Sequence, residues 1–251
     1  MDGPNSNWSM YRKIRDYRKE KDLSELINIG SRSLHIAHRA FELGADATNW
    51  KLDDIFKSLY KLFKKAGGWR TDYKSITGSK IFPFSFCKTR WLDDKIVADR
   101  AIEIWPNIKI FCQVWQLGPK SKCPDSRCYR VVRDAVADYL VLVKIHFFSY
   151  LASLMLPFLT LYQSTQPVVA FMDEDISCLV IKLLCIFMKD GVVSNLSLPK
   201  LFKIELNDQA FLKPALDLGC AATNLLSNLR KKDLVEEQKI LNFNKNVEYL
   251  L

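Results

Sequence analysis

The chain has 251 residues, of which 49% are hydrophobic and 26% are charged. This balance supports a globular core and excludes a chain that is disordered throughout. Only nine glycines and nine prolines are present, fewer than a β-sandwich or barrel with many tight turns needs. The composition therefore favours a mainly α-helical fold.

The net charge of +9 is concentrated in the middle of the chain. Residues 51–133 carry 18 Lys or Arg and 8 Asp or Glu, a net of +10, whereas residues 1–50 carry +1 and residues 134–251 carry −2. A basic block of this size attracts polyanions, of which nucleic acid is the usual one. A lysine-rich solvated surface would give the same count, so charge alone leaves both interpretations open.

The seven cysteines are odd in number and scattered, which does not favour a disulfide framework. Cys123 and Cys128 are close in sequence, but two cysteines do not complete a zinc site, and free thiols are the better interpretation. Residues 1–5 are polar and do not resemble a secretory signal. We therefore expect an intracellular protein.

The first fifty residues predict a helix, a short strand and a second helix. Charged residues at 9–21 are typical of an exposed helix. Residues 26–30 form a short β-like run that ends in a glycine. Residues 34–43 place their apolar side chains on one helical face.

The basic middle of the chain predicts further helices. Apolar side chains at 52–65 recur at i, i+3, i+4 and i+7, so we expect an amphipathic helix that ends at Gly67. Residues 66–89 look irregular. A helix over 93–105 is expected to stop at Pro106, and a separate one follows it to residue 117.

The second half begins with a basic loop. Residues 118–127 are polar, contain two prolines and form the best candidate for a surface loop. We expect a long helix over 129–156 and shorter ones over 174–188 and 234–250. Residues 191–228 are mixed in character and predict no definite element.

The segment 139–162 is very apolar and nearly long enough to cross a bilayer. It contains Lys144 and His146 near its start and Pro157 near its end. Ionisable groups are costly in lipid, so a buried core helix is the better prediction.

Two pairs of polar residues could be taken for metal ligands. His35 and His38 share a helix face, but no further ligands accompany them, and each is more typical of a packing or capping histidine. Asp93 and Asp94 are adjacent, and neighbouring residues on a helix point about 100° apart. They are better interpreted as acids at a helix start, where the macrodipole favours them.

Four short segments occur in an order that resembles the hAT-type DNA transposases, specifically the transposon-derived hAT-like proteins. They are residues 1–8, 30–38, 86–91 and 101–106. The resemblance implies an RNase H-like catalytic core interrupted by a large helical insertion. It also implies a triad of carboxylates that holds divalent metal, for which Mg²⁺ is suited because it prefers oxygen ligands.

The resemblance assigns roles to individual residues. Asp2 matches the second acid of the triad, and His35 matches the histidine of a Cys-x-x-His motif. Arg90 and Trp91 match an Arg-Trp pair near the start of the insertion. Trp91 could stack on distorted DNA or anchor the insertion in its core. The motif cysteine is replaced by Arg32, so the Cys-x-x-His pair is broken.

The triad is incomplete in this sequence. Its first aspartate would lie upstream of residue 1, and no residue after the insertion matches its final glutamate. One carboxylate cannot hold the metals that this chemistry requires. We therefore expect no enzymatic activity, no cofactor, and Mg²⁺ binding only in a complete core. An active nuclease with Asp2 as a ligand is the opposing hypothesis.

These observations give one prediction for the whole chain. Residues 1–50 are expected to be a remnant of an RNase H-like α/β core, and residues 51–251 an all-helical insertion-like domain with a basic loop near 118–127. The expected function is nonspecific DNA binding by an inactive, nuclear, transposase-derived protein, without a membrane or small-molecule partner. The alternative is a helical scaffold that self-associates or binds other proteins through apolar faces at 129–188. The expected DNA contacts are Lys61, Lys64, Lys65, Arg70, Lys88, Lys120, Lys122, Arg127 and Arg130.

Overall fold

A computed structural model describes residues 5–24, 33–64, 67–87, 92–117, 126–163, 169–195, 200 and 211–248. These residues form helices joined by short connections and one isolated antiparallel β-bridge, between Met188 and Leu212. The helices are α1 (Asn5–Glu20), α2 (Ser33–Ala47), α3 (Leu52–Lys64), α4 (Gly67–Thr77), α5 (Lys95–Leu117), α6 (Arg127–Ala137), α7 (Val141–Tyr162), α8 (Met172–Phe187), α9 (Asp190–Asn195), α10 (Cys220–Lys231) and α11 (Glu237–Glu248).

The prediction of a mainly helical chain is confirmed. The β-like run at residues 26–30 lies outside the described residues, so the RNase H-like part of the prediction remains an expectation. The division at residue 50 falls in the turn between α2 and α3. The basic loop near 118–127 is described only from Ser126 onward.

The core forms where α3, α5, α6 and α7 pack together. The amphipathic pattern of α3 predicts its buried face correctly, since Phe56, Leu59 and Leu62 are each only 1% exposed. α7 packs against α5 on one side and α10 on another. It is long and apolar enough to cross a membrane by length and composition, with a mean hydropathy of 1.6, but 56% of its most apolar window is buried.

A helix, α4, occupies part of the region that was predicted to be irregular. Gly67 and Gly68 begin this helix rather than only ending the one before. Tertiary contacts compensate for the low helix propensity of glycine. Tyr73 is fully buried, and Trp69 and Ile76, four residues before it and three after, pack against the same core. The Nε of Arg70 donates to the carbonyl of Phe63 (2.7 Å), which satisfies an orphan acceptor in the last turn of α3.

Pro106 does not end a helix, contrary to the sequence prediction. It lies inside the continuous helix α5, and its ring is on the solvent side. The neighbouring Trp105 and Ile108 are fully buried on the other side. Burial of that face therefore outweighs the backbone hydrogen bond that proline removes.

The long helix predicted over 129–156 is two helices, α6 and α7. α6 is capped at its start, where the Ser126 hydroxyl accepts the N–H of Tyr129 (3.1 Å). The break follows from Asp138, whose carboxylate accepts the N–H of Leu140 (2.9 Å) and the ammonium of Lys144 (2.6 Å). Such a side chain offers the backbone an alternative to a continuous helix.

Candidate nucleic-acid interface

Residues 78–87, here called the aromatic strap, run without regular secondary structure between α4 and α5. Gly78 ends α4 in the left-handed region (φ 69°), and its N–H donates to the carbonyl of Lys74 (2.9 Å). The hydroxyl of Thr77 then accepts the N–H of Ser79 (3.2 Å). The strap therefore leaves α4 in a defined direction.

Aromatic side chains hold the strap against the helices. The ring of Phe82 lies 5.5 Å from the rings of both Phe63 and Tyr73, and Phe86 stacks on Phe56 at 5.9 Å. These distances are typical of favourable aromatic pairs. Between these anchors Phe84 remains 40% exposed.

Cationic side chains lie over two rings of the strap and over one ring of α3. The guanidinium of Arg70 is 4.9 Å from the centre of the Phe82 ring, and the ammonium of Lys74 is 5.9 Å from it. The guanidinium of Arg100 lies 4.0 Å from the Phe84 ring, and Lys64 lies 5.2 Å from the Tyr60 ring. All are within the range of cation–π attraction. We call Lys64, Arg70, Lys74, Arg100, Phe82 and Phe84 the basic–aromatic face.

Carbonyl groups hold the arginines of this face more than carboxylates do. Arg70 donates to the carbonyl of Phe63, and Arg100 donates to the carbonyl of Phe82 (3.1 Å) and pairs with Glu103 (2.9 Å). Within the part of the chain that the structure describes, Arg70 and Lys74 have no carboxylate partner. Their positive charge is therefore available to an external anion.

The strap joins α5 through Asp94, which is only 3% exposed. Its carboxylate accepts the backbone N–H of Cys87, at 2.9 and 3.2 Å for its two oxygens. Burial raises the pKa of Asp94 to about 7, although the Cys87 N–H opposes this by favouring the charged form. Asp94 lies just before α5, as its interpretation as an acid at a helix start requires. Its carboxylate has a second role, because it binds the Cys87 N–H and so fixes the end of the strap.

Five of the predicted DNA contacts are described, and they fall into two groups. Lys61, Lys64 and Arg70 are exposed near the junction of α3 and α4. Arg127 and Arg130 are exposed on α6, and Arg127 reaches Asp54 (3.4 Å) at the start of α3. The two ends of α3 are separated by about ten residues, or ~15 Å at the helical rise. The described DNA contacts therefore form two separate groups, whereas the sequence prediction listed them as a single site.

The remaining predicted site residues lie outside the described residues. This holds for Asp2, Arg90, Trp91 and four of the lysines, namely Lys65, Lys88, Lys120 and Lys122. His35 lies in α2, and its side chain is not described. The packing role predicted for His38 is confirmed, since it is buried and its Nδ1 accepts the N–H of Leu92 (3.4 Å).

Sequence reasoning did not identify Lys74, Arg100, Phe82 or Phe84 as parts of a site. The available signal was the run of phenylalanines at every second position, Phe82, Phe84 and Phe86, within a basic stretch. An extended segment points alternate side chains to opposite sides. That rule alone does not say which phenylalanine faces solvent.

The described residues contain no group of three or more His, Cys, Asp or Glu side chains close enough to hold a metal ion. Cys128 is a free thiol, and Cys123 lies outside the described residues. Comparison with models of protein families, with curated proteins and with solved structures finds no match.

Proposed function

We propose that the chain is a catalytically inactive, transposase-derived protein that binds nucleic acid without sequence specificity through the basic–aromatic face. The location of Arg70 and Lys74 over the strap, without carboxylate partners among the residues that the structure describes, carries the proposal. The net charge of +10 over residues 51–133 and the resemblance to hAT-type transposases support it. A nuclear location would follow from this function.

The chemistry of the face suits a polynucleotide. Arg and Lys neutralise phosphates and release condensed counterions, which supplies most of the free energy of nonspecific binding. Phe84 is exposed and can stack on a base, and such stacking tolerates any sequence. Together these groups favour a single strand, because its bases are accessible.

Fluorescence anisotropy with a labelled single-stranded oligonucleotide, titrated at several salt concentrations, tests the proposal. Log affinity is expected to fall linearly with log salt concentration. Phe84→Leu should weaken binding of the single strand by about fivefold or more and bind duplex nearly as before, because only the stacked base is lost. No binding at low salt, or binding that is independent of salt, would contradict the proposal.

The alternative function, self-association, has its own support on α5. Ile110, Val114 and Leu117 are 44%, 46% and 89% exposed, and their spacing places them on one helix face. This stripe lies outside the region 129–188 where apolar faces were expected. Within that region α7 buries most of its apolar side chains, whereas in α8 only Ile186 and Phe187 are buried.

Light scattering at increasing protein concentration tests this alternative. Self-association through the stripe predicts a mass above that of one chain, and Val114→Lys should restore the single-chain mass. A mass of one chain across the concentration range would exclude the alternative and leave nucleic-acid binding unaffected.

A further inference from the structure

A cavity of about 230 Å³ lies where the turn between α2 and α3 meets the middle of α7. Four aromatic residues line it: Phe41 from α2, Trp50 from the turn, and Phe147 and Phe148 from α7. The cavity is larger than the 150 Å³ or so that holds benzene and smaller than a drug-sized pocket. Its size therefore suits a small ligand.

The four rings that line the cavity pack in two crossed pairs. Phe41 and Phe148 meet at 5.1 Å with an angle of 71° between their planes. Trp50 and Phe147 meet at 6.1 Å and 69°. Both pairs are edge-to-face contacts, in which the edge of one ring meets the face of the other, and aromatic faces carry partial negative charge.

The turn holds Trp50 in place. Its indole ring stacks on Phe243 of α11 at 5.1 Å, with the planes only 5° apart. Both neighbours in sequence, Asn49 and Lys51, adopt the left-handed backbone region at φ 53°. Non-glycine residues rarely adopt this region unless surrounding contacts impose it. The position of the Trp50 indole is therefore fixed before a ligand binds.

Two acids and one base are among the charged residues of the cavity lining. Asp46 and Asp53 both line it, and Lys51 is the cationic residue among its described lining residues. Asp46 is exposed at the rim, whereas Asp53 is half-buried and pairs with Lys57 (2.8 Å). Lys57 itself lies over the Phe86 ring at 5.3 Å and does not line the cavity.

We propose that this cavity binds a small organic cation with apolar substituents, such as a methylated ammonium group. The aromatic faces would attract the charge while the rings pack against its methyl groups, and Asp46 would complete the neutralisation. A neutral ligand of the same shape would gain the packing alone. This inference does not depend on the basic–aromatic face, which lies on α3, α4, α5 and the strap.

Isothermal titration of the full chain with choline and with its neutral isostere, 3,3-dimethylbutan-1-ol, tests the proposal. Choline is expected to bind about tenfold more tightly than the isostere, which corresponds to the attraction of a desolvated cation to aromatic rings. Asp46→Asn should weaken choline binding several-fold and leave the isostere unchanged. Asp173→Asn, an exposed acid on α8 that does not line the cavity, is the matched control.

Trp50→Leu should abolish the preference for choline, and circular dichroism establishes whether this variant is folded. Asp46 is exposed, so Asp46→Asn is expected to fold. This variant therefore tests the proposal even if Trp50→Leu does not fold. Equal binding of choline and the isostere, binding of neither, or equal effects of Asp46→Asn and Asp173→Asn would overturn the proposal.

Discussion

Asp94 links the aromatic strap to α5, and its burial has a consequence for the pH dependence of stability. The folded chain raises the pKa of this carboxyl from 3.8 to about 7, mainly through desolvation. Between these two values the folded state holds a proton that the unfolded state has lost. The free energy of unfolding therefore falls as the pH rises through this window.

Substitution of Asp94 by Asn should remove this pH dependence. We expect the free energy of unfolding of the wild type, relative to Asp94→Asn, to decrease from pH 4 to pH 7 by at most about 1.4 kcal/mol per pH unit. Urea unfolding at four pH values measures it. Asp134→Asn, an exposed acid on α6, should keep the wild-type slope. Parallel curves for wild type and Asp94→Asn would contradict the assignment.

Gly219 is required by both its conformation and its surroundings. Its φ of +77° lies in the region that favours glycine, and an added Cβ would meet the Tyr150 ring at 2.8 Å. That ring is held by a hydrogen bond from its hydroxyl to Asp217 (2.9 Å). The chain therefore has little freedom to accommodate a methyl group here.

Gly219→Ala should consequently lower the free energy of unfolding by about 1–3 kcal/mol. Gly191→Ala is the matched control, because a Cβ at Gly191 meets nothing within 4 Å. Thermal unfolding of both variants measures the difference. Equal melting temperatures would show that the turn before α10 tolerates a side chain.

Individual site residues were only partly predictable. The exposure of Lys61 and Lys64 followed from the amphipathic pattern of residues 52–65, whereas Arg70 was predicted as a DNA contact from the charge block alone. Their neighbours Phe82 and Phe84 did not follow, because packing against α3 and α4 decides which ring of the strap is buried. The aromatic cavity joins residues about 100 positions apart in sequence, a distance that local patterns do not span.

At the scale of elements, periodicity identified most helices, and tertiary contacts decided their ends. Pro106 is a local signal for a helix end, yet it lies within a helix whose other face is buried, and Gly67, which follows the end of α3, also begins the next helix. Asp138 carries a weaker local signal, yet its hydrogen bonds accompany a break between two helices. Propensity is a weak prior where a large apolar face can be buried.

Pro106 provides a test of this competition. Pro106→Ala would restore a backbone donor in the interior of α5, at an exposed position. We expect the free energy of unfolding to rise by about 1–2 kcal/mol, because the gain in helix propensity exceeds the loss of rigidity in the unfolded chain. Chemical denaturation followed by circular dichroism measures it. If Pro106→Ala were less stable than the wild type, the packing of α5 against its neighbours would depend on the helix geometry that the proline imposes.

At the scale of the whole molecule, charge and hydrophobicity are segregated along the chain. The most apolar helix, α7, packs against α5 and α10 in the core. The positive charge lies in the segment 51–133, and the structure gathers part of it around the strap. A molecule built this way can present a cationic surface while keeping a stable apolar interior.

The salt dependence of DNA binding tests the central claim most directly. Arg70→Gln combined with Lys74→Gln removes two charges from the basic–aromatic face, and Lys231→Gln combined with Lys232→Gln removes two exposed charges at the end of α10. The first pair should reduce the slope of log affinity against log salt concentration by about 2, and the second should leave it nearly unchanged. Equal slopes for the two double variants would contradict the account.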